Sequence, residues 1–174
     1  MGKSQGDGGR GVHGQRRSDR APQVRQPHEH DTYKRGAKPH GDLVCGECGL
    51  VQHAGRWQRA APPPREARRG LCPACERVRD RYPAGTIRLH AAPGPLRDEL
   101  LGMIRNLERD ESEEHPLERI MGVTGDDACL TVLTTGTHLA NRVASALKRR
   151  SRGTVEIHRP EEQQLVAVDW RDGA

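Results

Sequence analysis

The sequence contains no phenylalanine, and aromatic residues amount to 2% of the chain. Hydrophobic residues of all kinds make up 33%, whereas a typical globular domain contains roughly 45–50%. A chain of 174 residues with so few large apolar side chains cannot fill one continuous core. We therefore expect part of the chain to be disordered and part to be held by something other than packing, such as a bound metal.

Long hydrophobic runs are also missing. No apolar stretch approaches the roughly 20 residues that a membrane-spanning helix needs, and the first residues, MGKSQGDGGRGVHGQRR, lack the apolar centre of a signal peptide. The sequence thus predicts a cytoplasmic protein with no membrane partner. Because thiols stay reduced in that compartment, paired cysteines there are more often metal ligands or redox groups than disulfides.

Positive charge is in excess, and it is unevenly distributed. The formal net charge is +5. Residues 1–95 contain 18 Lys or Arg against 9 Asp or Glu, whereas residues 96–174 contain 11 against 15. An asymmetry of this kind indicates an anionic partner for the basic half of the chain.

The chain divides into three regions of different composition. Residues 1–38 are rich in Gly and Arg without apolar periodicity, which predicts a disordered basic tail. Its GGRG stretch is similar to segments that contact RNA non-specifically, although a solubilising tail explains the composition equally well. Residues 39–84 carry four of the five cysteines and are predicted to form a zinc ribbon. Residues 85–171 have regular apolar periodicity, which predicts a small α/β domain.

The α/β domain is predicted to follow the order β-α-β-β-α-β-β. Apolar residues recur at three- and four-residue steps over residues 95–114, which predicts an amphipathic helix starting at Pro95. Residues 117–135 predict a hairpin, and a second helix is expected with Thr137 as its N-cap. The first six elements match a ferredoxin-like arrangement with one strand added, so the predicted fold class is α+β.

The cysteines of the ribbon follow a metal-binding pattern. Cys45 and Cys48 form one C-x2-C pair, and Cys72 and Cys75 form another after 23 intervening residues. A gap of two residues lets one tight turn offer both sulfurs from the same side, and two such turns supply the four thiolates of a tetrahedral zinc site. Four protein thiolates leave no position for water or substrate, so one structural Zn²⁺ is the predicted cofactor.

Other uses of these residues remain open at this point. A redox dithiol needs one C-x2-C pair in a βαβ context, which does not account for the second pair. His40 and His53 are near enough in sequence to replace a cysteine in the ligand set. The fifth cysteine, Cys129, is interpreted as a small buried residue of a strand.

Arginines and one tryptophan surround the cysteine pairs. A metal-stiffened module with arginines on several faces suits phosphate binding, and a tryptophan offers a surface for base stacking. If the segment after Cys75 is helical, Val78 and Tyr82 should pack on the ribbon and leave the arginines outside. Alternatively, Arg77 or Arg81 pairs with Glu76 and Asp80 in a solvated helix, and Trp57 and Tyr82 belong to the core. The predicted nucleic-acid-binding residues are Arg56, Trp57, Arg59, Arg68, Arg69, Arg77, Arg79 and Arg81.

Residues 85–171 contain no recognisable catalytic constellation. There is no Ser-His-Asp set in a convincing context, and the carboxylates follow a charged helix face. His115 and His138 flank the predicted hairpin and are interpreted as cap or turn residues rather than catalytic bases. The sequence therefore predicts a protein without enzymatic activity and without a small-molecule substrate.

Several stretches resemble a known family. CGECG, GRW, LCPACERVRDRYPAGTIRL, HPLERIM and THLANRVASALKRRSRG are similar to a group of small bacterial zinc-ribbon proteins, which in turn resemble the N-terminal zinc-binding part of the ribosomal large-subunit export adaptor of archaea and eukaryotes. The resemblance covers about residues 40–170. It implies a four-cysteine zinc module attached to an α/β domain, with a role on or near ribosomal RNA. Only the four paired cysteines carry over as site residues, and this chain has no room for the adaptor's further domains.

Two functions are compatible with these observations. The first is a zinc-stabilised RNA- or ribosome-associated protein in which the tail and ribbon bind phosphates. The second is a protein-interaction adaptor whose ribbon and acidic stretch Glu108–Glu114 dock a protein partner.

Overall fold

The computed structural model describes residue 33 and residues 41–59, 65–150, 153–160 and 165–173. Apart from Tyr33, the predicted disordered tail lies outside the described residues. The described part contains three helices and nine strands, and the strands form two separate sheets. The architecture is mixed α+β. The elements are β1 (Leu43–Cys45), β2 (Val51–His53), β3 (Arg56–Gln58), β4 (Arg68–Gly70), α1 (Pro73–Asp80), β5 (Gly85–His90), α2 (Pro95–Glu114), β6 (Ile120–Gly125), β7 (Leu130–Thr134), α3 (Thr137–Arg149), β8 (Thr154–His158) and β9 (Val166–Arg171).

The first sheet belongs to the ribbon, with the strand order β3-β2-β1-β4. The strands are three residues each and form two antiparallel pairs, while β4 pairs with β1 in parallel. A sheet of such short strands buries little apolar surface. Its core consists mainly of cysteine, with Leu50 and Ala74, so packing alone does not hold it.

The second sheet has five strands in the order β6-β7-β5-β9-β8. The predicted order of elements is confirmed, but the ferredoxin-like strand pairing is not. In that arrangement the strand after the second helix pairs antiparallel with the first strand. Here β9 lies between β8 and β5 and pairs with β5 in parallel, with Ile87 opposite Val168. The added strand is therefore central, and β8 is moved to the edge.

The main core lies between this sheet and the two long helices. Alternate residues of β5, β7 and β9 are buried, as expected for strands with one covered face. Trp170 is fully buried at its centre. Helix α3 packs on the sheet through the predicted stripe of Leu139, Val143 and Leu147, each 0% exposed. Helix α2 packs against α3 and contributes Leu100 and Ile104.

The helix boundaries follow the sequence signals closely. Helix α2 spans the predicted residues, with Pro95 in its first turn. Thr137, however, is the first residue of α3 rather than its N-cap, which is Gly136. Glu118 takes over the capping role, because its carboxylate accepts a hydrogen bond from the backbone N–H of Leu139 at 2.9 Å.

Among the described residues, no helix combines the length and apolar character required to cross a bilayer.

Candidate metal centre

Four cysteines converge where the ribbon sheet meets α1. Their sulfur atoms all lie within 4.8 Å of one another, and those of Cys48 and Cys72 are 3.6 Å apart. A tetrahedral site with metal–sulfur bonds of about 2.3 Å would separate its sulfurs by about 3.8 Å. All five cysteines of the chain are free thiols. The four paired cysteines therefore fit a metal ion, as the sequence spacing predicted.

The first pair lies in a tight turn that requires a glycine in the left-handed backbone conformation. Cys45 ends β1, and its carbonyl accepts a hydrogen bond from the N–H of Gly49 at 3.0 Å. Gly49 has a φ of +72°, a left-handed conformation that glycine adopts without steric cost. The N–H of Cys45 then returns to the carbonyl of Leu50 at 2.8 Å. This closed loop holds Cys45 and Cys48 on one side of the turn.

The second pair lies at the start of α1. Cys72 is the N-cap, and its sulfur accepts a hydrogen bond from the N–H of Cys75 at 3.4 Å. The N–H of Cys72 in turn donates to the sulfur of Cys45 at 3.3 Å. Backbone N–H groups and a helix N-terminus both favour negative charge on sulfur, the form in which cysteine binds a metal.

The environments of Cys45, Cys72 and Cys75 give these three thiols different pKa values. Burial raises the pKa of Cys45, but backbone hydrogen bonds from Cys48, Cys72 and Glu47 outweigh this effect and lower the pKa to about 6. Burial raises the pKa values of Cys72 and Cys75. A thiolate therefore forms more readily at Cys45 than at Cys72 or Cys75. The positive charge of a bound metal would favour deprotonation of those two buried sulfurs.

Arg119 brings the α/β domain into contact with the cysteines. Its Nη2 lies 3.4 Å from the sulfur of Cys75 and 3.6 Å from that of Cys72. Burial lowers the pKa of Arg119, but the neighbouring sulfurs outweigh this and raise it, so the guanidinium stays charged. Its backbone is held by Thr135, whose hydroxyl accepts a hydrogen bond from the N–H of Arg119 at 2.8 Å. Arg119 thus places a fixed positive charge beside a site of four thiolates.

Replacing Arg119 with methionine should weaken metal binding without removing a ligand. Groups that hydrogen-bond to metal ligands typically contribute 10–100-fold in affinity, so we expect a loss of about that size. Competition with a chelator measures the affinity, and the metal-to-protein ratio should not change at saturation. Arg88→Met is the matched control, because Arg88 is exposed and pairs with Asp169. Equal affinity in the two variants would contradict a role for Arg119.

The remaining ligand alternatives are placed elsewhere. His53 forms a hydrogen bond with Asp42 at 2.8 Å, and its side chain is 61% exposed. His40 lies outside the described residues. Cys129 directly precedes β7 and is half-buried, with its sulfur against the carbonyl of Leu130 at 3.8 Å. Neither His53 nor Cys129 joins the cluster.

A cleft of about 740 Å³ opens between the ribbon and the α/β domain. Arg56, Trp57, Arg68 and Arg69 line it from the ribbon. The three arginines are exposed, and Trp57 is half-buried against the cysteine core. The α/β domain contributes residues 114–118 and 135–138. Five of the eight predicted nucleic-acid contacts therefore line this cleft, but the fifth, Arg77, is buried. The other four form one concave surface, which we call the basic wall of the cleft.

The other predicted arginines do not extend this surface. Arg59, Arg79 and Arg81 are exposed but do not line the cleft. Arg79 forms an ion pair with Asp80 at 3.0 Å, the acid that the alternative interpretation assigned to Arg77 or Arg81.

Arg77 contradicts its predicted exposure, because it is 3% exposed. Its guanidinium lies 4.3 Å from the centre of the Tyr33 ring and donates to the carbonyl of Tyr82 at 3.1 Å. The expectation that Val78 and Tyr82 pack on the ribbon is wrong as well, since they are 45% and 40% exposed. Tyr33 stacks on Tyr82, and its ring covers the guanidinium of Arg77. Arg77 is thus a structural residue.

Comparison with known proteins adds no assignment: no family model, no curated protein and no solved structure matches this chain.

Proposed function

We propose that this chain is a zinc-stabilised RNA- or ribosome-associated protein without catalytic activity. Three features support the proposal: the four-cysteine cluster, the basic wall beside it, and the resemblance to a ribosome-linked zinc module. The observation that carries it is the position of three exposed arginines and a tryptophan on one concave surface next to the metal centre.

Zinc is the metal that the four cysteines favour. Four thiolates in a tetrahedral arrangement select zinc or iron, and zinc is the common occupant of isolated sites built from two C-x2-C turns. All four positions are filled by protein, so the ion would be structural. It would tie β1, the first cysteine turn and the start of α1 together, in a region whose apolar core is small.

The basic wall suits a nucleic-acid backbone for electrostatic and geometric reasons. Arg68 and Arg69 lie on β4, an edge strand, and Arg56 lies on β3 at the other edge of the same sheet. Guanidinium groups bind phosphate through paired N–H donors, and the sheet holds them at fixed separations. Trp57 lines the same cleft and is only half-buried, so its exposed part is available for a base to stack on.

The opposite side of the cleft carries two acidic residues, Glu114 and Glu118, and one of them is bound to the N-terminus of α3. Glu118 caps the N-terminus of α3 through the N–H of Leu139. Its negative charge therefore interacts with the positive end of the helix, which reduces its repulsion of a bound phosphate. Glu114 is exposed at the end of α2. An anionic ligand would accordingly lie against the ribbon rather than against α2.

Replacing Arg56, Arg68 and Arg69 with alanine should weaken binding to ribosomal RNA fragments and make it less sensitive to salt. Each phosphate contact contributes about 0.7 to the slope of log K against log salt for a single strand, so three contacts contribute about 2. Affinity measured at several salt concentrations by fluorescence anisotropy gives this slope directly.

The matched control removes the same charge from another surface. Arg88, Arg105 and Arg109 are exposed residues of the α/β domain, outside the cleft. Their triple alanine variant should bind as the wild-type protein does, apart from the small effect of net charge. Equal losses in the two triple variants would mean that overall charge, and not the basic wall, binds RNA. Binding of the wild-type protein that did not depend on salt would contradict the proposal itself.

A protein-interaction adaptor is the second candidate, because Val78 and Tyr82 present apolar surface to solvent on one side of α1. The acidic stretch of α2 gives this candidate less support than its sequence suggested. Glu111 is buried, and Glu108 accepts a hydrogen bond from the N–H of Ile120 at 2.7 Å. An adaptor complex would survive nuclease treatment and would be lost in a Val78→Asp variant.

A further inference from the structure

A second group of metal-ligating side chains lies where α2 ends and α3 begins. Glu111 and His115 are four residues apart, so they share one face of the last turn of α2. His138 is in the first turn of α3. One potential ligand atom from each residue lies within 4.8 Å of the other two. We infer that these three residues form a second metal site, suited to Zn²⁺ or a similar divalent transition metal.

The carboxylate of Glu111 is unusual because it is buried and one of its two oxygens, Oε1, accepts no hydrogen bond within the described part of the chain. Glu111 is 2% exposed. Its Oε2 is held by a short contact to Nη1 of Arg142, but its Oε1 accepts no hydrogen bond from any described residue. Burial of a carboxylate oxygen that accepts no hydrogen bond is costly, and a bound cation would offset that cost.

The two imidazoles lie at the distances expected of fellow ligands. Nε2 of His138 is 3.2 Å from Oε1 of Glu111, and Nε2 of His115 is 3.6 Å from the same oxygen. Neither nitrogen makes a hydrogen bond to that oxygen. Ligands of a tetrahedral zinc ion at about 2.0–2.1 Å from the metal are separated from one another by about 3.3–3.4 Å. Both separations from Oε1 are close to this value, and the ligand atoms of the two histidines lie within 4.8 Å of each other.

Arg142 orients the carboxylate of Glu111 in this site without being a ligand itself. Carboxylates that bind metals usually have their second oxygen hydrogen-bonded, which fixes the direction of the first. Arg142 holds Oε2 in this way and leaves Oε1 directed towards the histidines. The ion pair also raises the pKa of Arg142. The guanidinium stays charged and offsets the burial of the carboxylate.

The site is open on one side. The side chains of His115 and His138 are 54% and 59% exposed, and both line the cleft opposite the basic wall. Three protein ligands leave at least one coordination position for water or for an anionic oxygen. This differs from the cysteine site, in which protein fills every position.

The test uses the full chain with its cysteine site already loaded with zinc, and titrates it with Co²⁺. We expect a second equivalent to bind and to give d–d absorption without the thiolate-to-cobalt charge transfer of a cysteine site. Replacing both His115 and His138 with alanine should weaken this second binding by about 100-fold or more, since it removes two of three ligands. The matched control is the double variant of His53 and His158, two exposed histidines that also lie beside carboxylates.

Folding of the variants is checked by circular dichroism and by the retained cysteine-bound zinc. NMR of the wild-type protein tests the proposal without any variant. Co²⁺ should shift the imidazole resonances of His115 and His138 but not that of His158. If the zinc-loaded wild-type protein bound no Co²⁺, the proposal would be overturned. A second equivalent that survives the loss of both histidines would also overturn it, because it would then belong to another part of the chain. If the two rings were simply partners of Glu111, Co²⁺ would leave their resonances unchanged.

Discussion

Replacing Cys72 with serine should unfold the ribbon and release its metal. Cys72 is 0% exposed, and its sulfur is part of the four-sulfur cluster. A structural zinc contributes about 10 kcal/mol or more to the folding of a small module. The buried core of the ribbon consists mainly of cysteines, so apolar packing cannot compensate for the loss of the metal. Metal analysis, together with amide hydrogen exchange of residues 43–58, would detect both losses.

The chain contains its own control for this substitution. Cys129→Ser makes the same chemical change at the one cysteine outside the cluster. We expect that variant to keep the cysteine-bound metal and the protection of the ribbon amides. If Cys72→Ser kept both as well, the four cysteines would not be a structural metal site. The proposed role of zinc would then be wrong.

Replacing Gly85 with alanine should destabilise the α/β domain by about 1–3 kcal/mol, the usual cost of overpacking a filled core. Gly85 starts β5, and an added Cβ would lie 2.6 Å from the Cβ of Ala140 on α3 and would overlap the hydroxyl of Thr134. Both neighbours are fully buried and cannot move aside cheaply. Chemical denaturation of the zinc-loaded protein measures the free energy of unfolding.

Gly122→Ala is the matched comparison for this prediction. Gly122 also lies in a strand of the same sheet, but a Cβ added there would meet nothing within 4 Å. That variant should be neutral or slightly stabilised, because a strand interior disfavours glycine by about 0.5–1 kcal/mol. Similar stabilities of the two variants would show that α3 does not press against β5 as closely as described.

Local signals in the sequence predicted the helices and strands well, but not how the strands pair. The apolar steps and Pro95 were enough to give α2 its bounds, because amphipathic periodicity is a property of one segment. The place of β9 between β5 and β8 is different, since Val166, Val168 and Trp170 would suit either a central or an edge position. Pairing depends on residues about 80 positions apart, and the pattern of one strand does not identify its neighbour.

In the candidate site, too, residues close together in sequence were predicted and residues far apart were not. Spacing alone predicted the four cysteines, because each pair lies within one turn. Arg119 was missed because it reaches the sulfurs from 44 and 47 residues away. The four-residue step from Glu111 to His115 was a usable signal for one helix face, but nothing local indicated His138. The burial of Arg77 depends on Tyr33, which is distant in sequence and could not be inferred from α1.

The central position of β9 also determines the order in which the two parts of the chain can fold during synthesis. The strands and cysteines of the ribbon all lie within residues 43–75, so its sheet and its metal ligands are translated early, before Arg119. The five-stranded sheet keeps a gap beside β5 until β9, the last of its strands to be translated, has been made. Non-local pairing of this kind is slow, and until it occurs β5 and β8 present unpaired edges that favour aggregation. The nascent chain would therefore carry a finished ribbon next to an unfinished sheet.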